Sequence, residues 1–145
     1  MPPMEGFSVR KTLKSDYDRY YTGQEADWRW LVGREKARNI VTLCGAVPHD
    51  SLLDIGCGEG AVLEWLSQLG FGKVYTGIEI SQTGVDATRK RTIPQLAECV
   101  LFDGYTIPYP DQSFDVAVLS HVVEHLEFPR RLLYEAGRVA RHVFV

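Results

Sequence analysis

The sequence predicts a doubly wound α/β domain, a mainly parallel sheet with helices on both faces. Three observations carry this. Apolar, β-branched runs alternate with segments of helical periodicity along the chain. One run, Phe-Asp-Val-Ala-Val-Leu-Ser at residues 114–120, is almost continuously apolar, as a strand covered on both faces must be. Another ends in Asp54 and is followed by glycines at alternate positions, Gly56, Gly58 and Gly60, then by an apolar-periodic segment. That order reads as strand, tight turn, helix. Glycine reaches backbone angles closed to residues with a Cβ and lets another molecule lie directly on the main chain.

The elements follow in order. Residues 1–25 are polar, begin with Pro and Gly, and carry Tyr17, Tyr20 and Tyr21. With Trp28 and Trp30 they make residues 1–33 an aromatic-rich lead-in or cap, ahead of an α/β domain at 34–145. These aromatics serve equally as a lid or as packing for a leading helix. A helix is predicted over 27–44, where Ala37, Ile40, Val41 and Cys44 recur at helical spacing and Gly45 and Pro48 punctuate the end. A strand at 51–55 leads through the glycine turn to a helix at 61–69, closed by Gly70 and Gly72. The second strand spans 73–80, and Ser81 caps a helix that includes 84–90. Pro94 breaks the pattern before a third strand at 98–102. Residues 103–113 are turn-rich, with Pro108 and Pro110. The fourth strand is 114–120, with Asp115 a packing and turn residue at its start. Phe128-Pro129 opens a helix to about residue 139, and a fifth strand begins at His142. An edge ending in His-Val-Phe-Val would leave apolar backbone exposed, so the sequence reads as truncated, with C-terminal strands missing.

Composition narrows the function classes. At 145 residues and 45% hydrophobic, the chain can bury one domain's core. A net charge of -3 gives no global basic field, so nucleic acid is not an expected partner. Arg130, Arg131, Arg138 and Arg141 read as a solvated helix face. No apolar run approaches the roughly 20 residues of a membrane helix, and the first residues lack a secretory pattern. Cys44, Cys57 and Cys99 show no CxxC spacing, which fits free thiols in a cytoplasmic setting.

In a doubly wound sheet, ligands sit beyond the carboxyl ends of the strands where the strand order reverses. The polar and glycine positions fall at those ends: Asp54 with the glycine turn, Glu79, Asp103-Gly104, and Ser120-His121. Glu79 lies roughly 20 residues beyond the turn, the spacing of an acid that accepts from ribose hydroxyls. Two ligands use that design, NAD and S-adenosylmethionine. The string Gly56-Cys57-Gly58-Glu59-Gly60-Ala61 satisfies the dinucleotide fingerprint. Yet Asp54 and Glu59 would stand beside a pyrophosphate and repel it, and Asp103 would have no part to play. A cofactor carrying an ammonium and a sulfonium, and no phosphate, suits an acidic rim better.

These residues resemble the class I S-adenosylmethionine-dependent methyltransferases, in particular their small-molecule type 11/12 branch. Leu-Leu-Asp-Ile-Gly-Cys-Gly-Glu-Gly is similar to that family's first motif, and Gly-Ile-Glu-Ile-Ser to its acidic second strand end. Phe-Asp-Gly-Tyr-Thr-Ile-Pro-Tyr-Pro-Asp-Gln-Ser-Phe-Asp-Val is similar to its adenine-binding turn running into the fourth strand. Ser-His-Val-Val-Glu-His-Leu-Glu-Phe-Pro is similar to the segment after it. The resemblance implies a Rossmann-like fold and a role at each matched position. Gly56, Cys57, Gly58 and Gly60 would hold the methionine part through the backbone, with Asp54 near its ammonium. Glu79 would take the ribose hydroxyls. Asp103 would accept from the adenine amino group, Gly104 would allow the close turn, and Ile80 and Tyr105 would flank the ring. Ser120 and His121 would line the methyl-transfer side.

The implied activity is SN2 methyl transfer to a small-molecule acceptor, leaving S-adenosylhomocysteine. His121 is the candidate base, for acceptors that need one. A non-catalytic scaffold and an NAD-dependent oxidoreductase are the alternatives. His121-Val-Val-Glu124-His125 also fits the H-x-x-E-H zinc-peptidase pattern, which on a helix would put both imidazoles on one face. Its position after a buried parallel strand argues against metal, and none is expected. Two departures stand out: no Asn-Pro-Pro-Tyr type sequence follows the fourth strand, and no glycine-rich loop precedes the fifth.

Overall fold

The structure is a computed structural model that describes residues 11–21 and 26–145. The parts of the lead-in at 1–10 and 22–25 lie outside the described residues. The elements run α1 (Lys11–Tyr20), α2 (Ala26–Cys44), β1 (Ser51–Ile55), α3 (Ala61–Gln68), β2 (Val74–Glu79), α4 (Gln82–Lys90), β3 (Leu96–Leu101), β4 (Phe114–Val118), a single 3-10 turn at Val123–His125, α5 (Pro129–Val139) and β5 (Ala140–Phe144).

All strand pairings are parallel, in the order β3-β2-β1-β4-β5. Strand order therefore reverses between β1 and β4, and Asp54 lies at that seam, opposite Gly77 on β2 and Val118 on β4. Side chains alternate across the sheet. Leu52, Tyr75, Val116 and Val118 pack with Ala37, Ile40, Leu63, Leu66 and Val85 of α2, α3 and α4. Leu53, Ile55, Ile78, Ala117 and Leu119 pack with Leu132, Ala136 and Val139 of α5. Helices thus cover both faces, as the near-continuous apolar strands require.

Element boundaries differ from the expectations by a residue or two, with informative exceptions. Helix α1 is one. Its polar sequence hides a narrow stripe of Leu13, Tyr17 and Tyr20 at helical spacing, and it docks on α4 rather than on the sheet. Ser81 Oγ donates to Asp18 Oδ1 at 2.5 Å and Thr83 Oγ1 to the Asp18 carbonyl at 3.1 Å. The boundary expected between residues 33 and 34 falls inside α2, which runs unbroken across it. Helix α5 passes directly into β5 without a loop. Arg138, near the end of α5, ties that helix to the loop at 107–111 and is not part of a solvated face. Its guanidinium donates to the Ile107 and Tyr109 carbonyls at 2.9 and 2.8 Å, and to Glu135 and Asp111. Asp115 ties β4 to β1, its Oδ2 accepting from Ser51 N while its own N donates to Ser51 Oγ.

Candidate functional site

A cavity of about 490 Å³ opens at the seam between β1 and β4, beneath α1. Asp54, Gly56, Cys57, Gly58, Glu79, Ile80, Gly104, Ser120 and His121 line it; Gly60, Asp103 and Tyr105 do not.

The glycine turn is pinned from below. Gly56 N and Cys57 N both donate to the Ile78 carbonyl, at 2.8 and 3.1 Å, and Gly60 N donates to the Cys57 carbonyl at 3.0 Å. Gly56 and Gly58 have φ of 74° and 58°, in the left-handed region. A Cβ on Gly56 would stand 2.8 Å from Val122, and one on Gly58 would stand 2.8 Å from the Tyr21 hydroxyl. Helix α3 starts from this turn with no side-chain cap, so its first N–H groups keep their pull on negative charge.

Of the three acids on the cavity wall, Asp54, Glu59 and Glu79, the most buried are Asp54 and Glu79, each only 3% exposed. Glu79 Oε2 accepts from Gly58 N at 2.7 Å, and Oε1 accepts from Ile80 N at 2.9 Å and Ser81 N at 3.2 Å. Burial pushes its pKa above the usual carboxylate value and these three donors pull against that. A carboxylate has about four acceptor positions, so one remains on Oε2. Asp54 is pushed up to about 7, first by burial and then by Glu79; Lys36, also on the cavity wall, opposes the shift.

Other predicted residues take different places. Asp103 Oδ1 closes its own turn, accepting from Tyr105 N at 2.8 Å and Thr106 N at 2.7 Å. Tyr105 is 2% exposed, and its hydroxyl accepts from Phe128 N; the ring on the cavity wall is Phe102. Cys57 Sγ lies 3.6 Å from Cys99 Sγ, and that contact, with burial, raises the Cys57 thiol, as suits a packed residue and not a nucleophile. His121 sits at φ 57° with Nδ1 3.3 Å from Glu124 Oε1. His125 Nε2 is 3.9 Å from the same oxygen. His121 precedes a 3-10 turn, so the two imidazoles do not share a helix face. Among the described residues no group of three or more His, Cys, Asp and Glu could hold a metal.

The roof uses aromatics that the sequence offered as a lid or as helix packing, together with cationic residues of α2 that it did not single out. Tyr17 and Tyr21 stack at 6.0 Å over the glycine turn, and Tyr17 meets His125 edge-on. Arg29 pairs with Glu59 at 2.7 Å and lies over the Tyr20 ring at 4.7 Å. Arg29, Gly33 and Lys36 recur at helical spacing along one side of α2, which is the signal that could have found them. The Arg29 pairing also corrects the expected charge balance. Glu59 is compensated, so the negative character of the rim rests on Asp54 and Glu79.

The reversal of strand order, the glycine turn and the buried acids define an α/β domain with a ligand site at its switch point. The chain belongs to the methyltransferase domain family, whose model matches residues 53–142. It is 35% identical over 92 residues to a fatty-acid O-methyltransferase of Mycolicibacterium smegmatis, across 62% of this chain and 33% of that protein. Over 94 residues it is 34% identical to a phthiotriol/phenolphthiotriol dimycocerosates methyltransferase of Mycobacterium tuberculosis, again across 62% of this chain and 33% of the relative. The chain thus spans about a third of the length of these curated relatives. Among solved structures, the magnesium protoporphyrin IX methyltransferase of Synechocystis with bound S-adenosylhomocysteine shares the fold. Its TM-score is 0.63 at 18% identity, over 89% of this chain and 64% of that one. The [4+2]-cyclase SpnF gives a TM-score of 0.64 at 26% identity, over 74% and 41%. No described helix is long and apolar enough to cross a membrane.

Proposed function

We propose that this domain binds S-adenosylmethionine and that the protein transfers its methyl group to a small-molecule acceptor. The observation that carries the reading is the pair of buried acids, Asp54 and Glu79, on the wall of a cavity whose glycine turn presents main chain. A cation beside Asp54 would relieve a carboxyl whose pKa burial, and then Glu79, push up to about 7, whereas a pyrophosphate would worsen it. The relatives named above support a small-molecule acceptor.

Each residue then has work to do. The turn at 56–60 and the uncapped start of α3 would take the carboxylate end of the cofactor, and Asp54 its ammonium. Glu79 would accept a ribose hydroxyl at the free position on Oε2. Asp103 would take the adenine amino group with the oxygen not used in its turn, with Gly104, Ile80, Phe102 and, less directly, Tyr105 around the ring. When bound, the cofactor supplies an electrophilic methyl on a sulfonium. Tyr17 and Tyr21 would exclude water from above, making α1 a cap. Ser120 and His121 would border the acceptor, with His121 removing a proton from an acceptor that has one to lose and Glu124 orienting it. Three buried free cysteines support a cytoplasmic location.

The second reading is a scaffold that binds the cofactor without methyl transfer, favoured by the named cyclase with this fold. Calorimetry with S-adenosylmethionine, S-adenosylhomocysteine and NAD tests the pocket. Micromolar binding of the first two without NAD is expected, and NAD binding alone would sink the proposal. Turnover on an acceptor panel in the full-length protein then separates enzyme from scaffold.

A further inference from the structure

We infer that Thr88 of α4 is a positioning residue for the amino-acid end of the cofactor, acting through the peptide between Gly58 and Glu59. The inference rests on the cofactor reading above. Thr88 is fully buried and does not line the cavity, so it touches no ligand. Its hydroxyl donates to the Gly58 carbonyl at 2.9 Å. Its methyl and hydroxyl also fill the space where a Cβ on Gly60 would stand, each 3.0 Å away. One residue C-terminal to α4, Arg91 Nε donates to the next carbonyl, Glu59 O, at 2.6 Å.

Peptide planarity turns these contacts into aim. In a trans peptide the carbonyl and the following N–H point to opposite sides, and no peptide among the described residues is cis. With the Gly58 carbonyl drawn down onto α4, the Glu59 N–H faces the other way, to the side where Gly58 and Glu59 border the cavity. No acceptor among the described residues takes that N–H. Neighbouring donors are committed: Gly56 N and Cys57 N to Ile78, Gly58 N to Glu79, Gly60 N to Cys57. The Glu59 N–H is therefore the donor the turn has left for a carboxylate, and glycines on both sides make its direction soft without an external hold. Thr88 is that hold. Valine in its place keeps the shape and loses the hydroxyl.

The test compares two probes in the whole chain. S-adenosylhomocysteine carries the amino-acid group; 5′-methylthioadenosine carries the nucleoside without it. Thr88→Val is expected to weaken S-adenosylhomocysteine binding about tenfold, the loss of roughly one hydrogen bond's worth of alignment, while 5′-methylthioadenosine binding stays within about twofold of wild type. Thr88→Ser should restore the first. Arg91→Gln, which leaves the core intact, should show the same selectivity with a smaller loss and serves if Thr88→Val does not fold. Unchanged S-adenosylhomocysteine affinity in both variants, or parallel loss of both probes as from general loosening, overturns the inference while leaving the cofactor reading standing. Wild-type protein that binds neither probe overturns both.

Discussion

The two halves of the sheet treat their rims differently. On the β1-β2-β3 side almost every polar group is committed: Glu79 gathers three N–H donors, and Thr88 and Arg91 hold successive carbonyls of the glycine turn. On the β4-β5 side the segment after β4 is a short turn with exposed imidazoles, His121 and His125 meeting only at Glu124. A rim built from buried, mostly paired groups is organised before its ligand arrives, whereas an open one adapts to whatever sits there. Under the proposed function, the first half fits an invariant cofactor and the second a variable acceptor.

Removing Glu79 should hurt most. Glu79→Ala frees the Gly58, Ile80 and Ser81 amides together, and cofactor affinity should fall on the order of 100-fold at about 1.5–3 kcal/mol for a charged hydrogen-bonding group. Calorimetry with S-adenosylhomocysteine checks this, and wild-type affinity would break the contrast between the halves. Arg138→Met should act on the opposite half alone. It strips hydrogen bonds from the Ile107 and Tyr109 carbonyls and leaves the buried Glu135 with the Ile107 amide but without its charged partner, costing roughly 2–3 kcal/mol of unfolding free energy. Urea titration should show that loss, with cofactor affinity held within about threefold once the variant is folded.

Acidity supplies the third test. Asp54, raised to about 7, must ionise to pair with an ammonium, so affinity should fall about tenfold per pH unit from pH 7 toward pH 5. Asp54→Asn should flatten that profile. The linkage to folding has the opposite sense. The native state holds a proton that the unfolded chain has already released between the ordinary carboxylate range and about pH 7, so ligand-free stability falls as pH rises through that window. Thermal melts at pH 5 and 7, wild type against Asp54→Asn, read the sign. The smallest effect belongs to His121→Ala. Cofactor affinity should stay within about twofold because the imidazole is exposed and paired only with Glu124. A larger loss would show that the open half also holds cofactor.

The strands were legible because a parallel sheet covered on both faces demands near-continuous apolar runs, and Ser51–Ile55 has the boundaries the sequence predicts. The start of α4 was legible for a local reason: Ser81 Oγ accepts from Gly84 N as an N-cap. Arg138 was misread because an arginine in a late cluster looks the same in sequence whether it faces water or, as Arg138 does, ties α5 to the loop at 107–111. Helix α1 was missed because its stripe, Leu13, Tyr17 and Tyr20, is short, only partly buried and set within a polar decapeptide.

By itself, the sequence determined the alternation of strand and helix, the glycine turn and the acids at successive strand ends, since these depend on local backbone geometry and on period. The tertiary structure alone decided which polar groups answer one another. Arg29 neutralises Glu59 across thirty residues, Asp103 spends an oxygen on its own turn, Phe102 and not Tyr105 reaches the cavity, and Thr88 orients a peptide on another element. Direction and desolvation in three dimensions set those pairings, and neither is written in the spacing of residues along a chain.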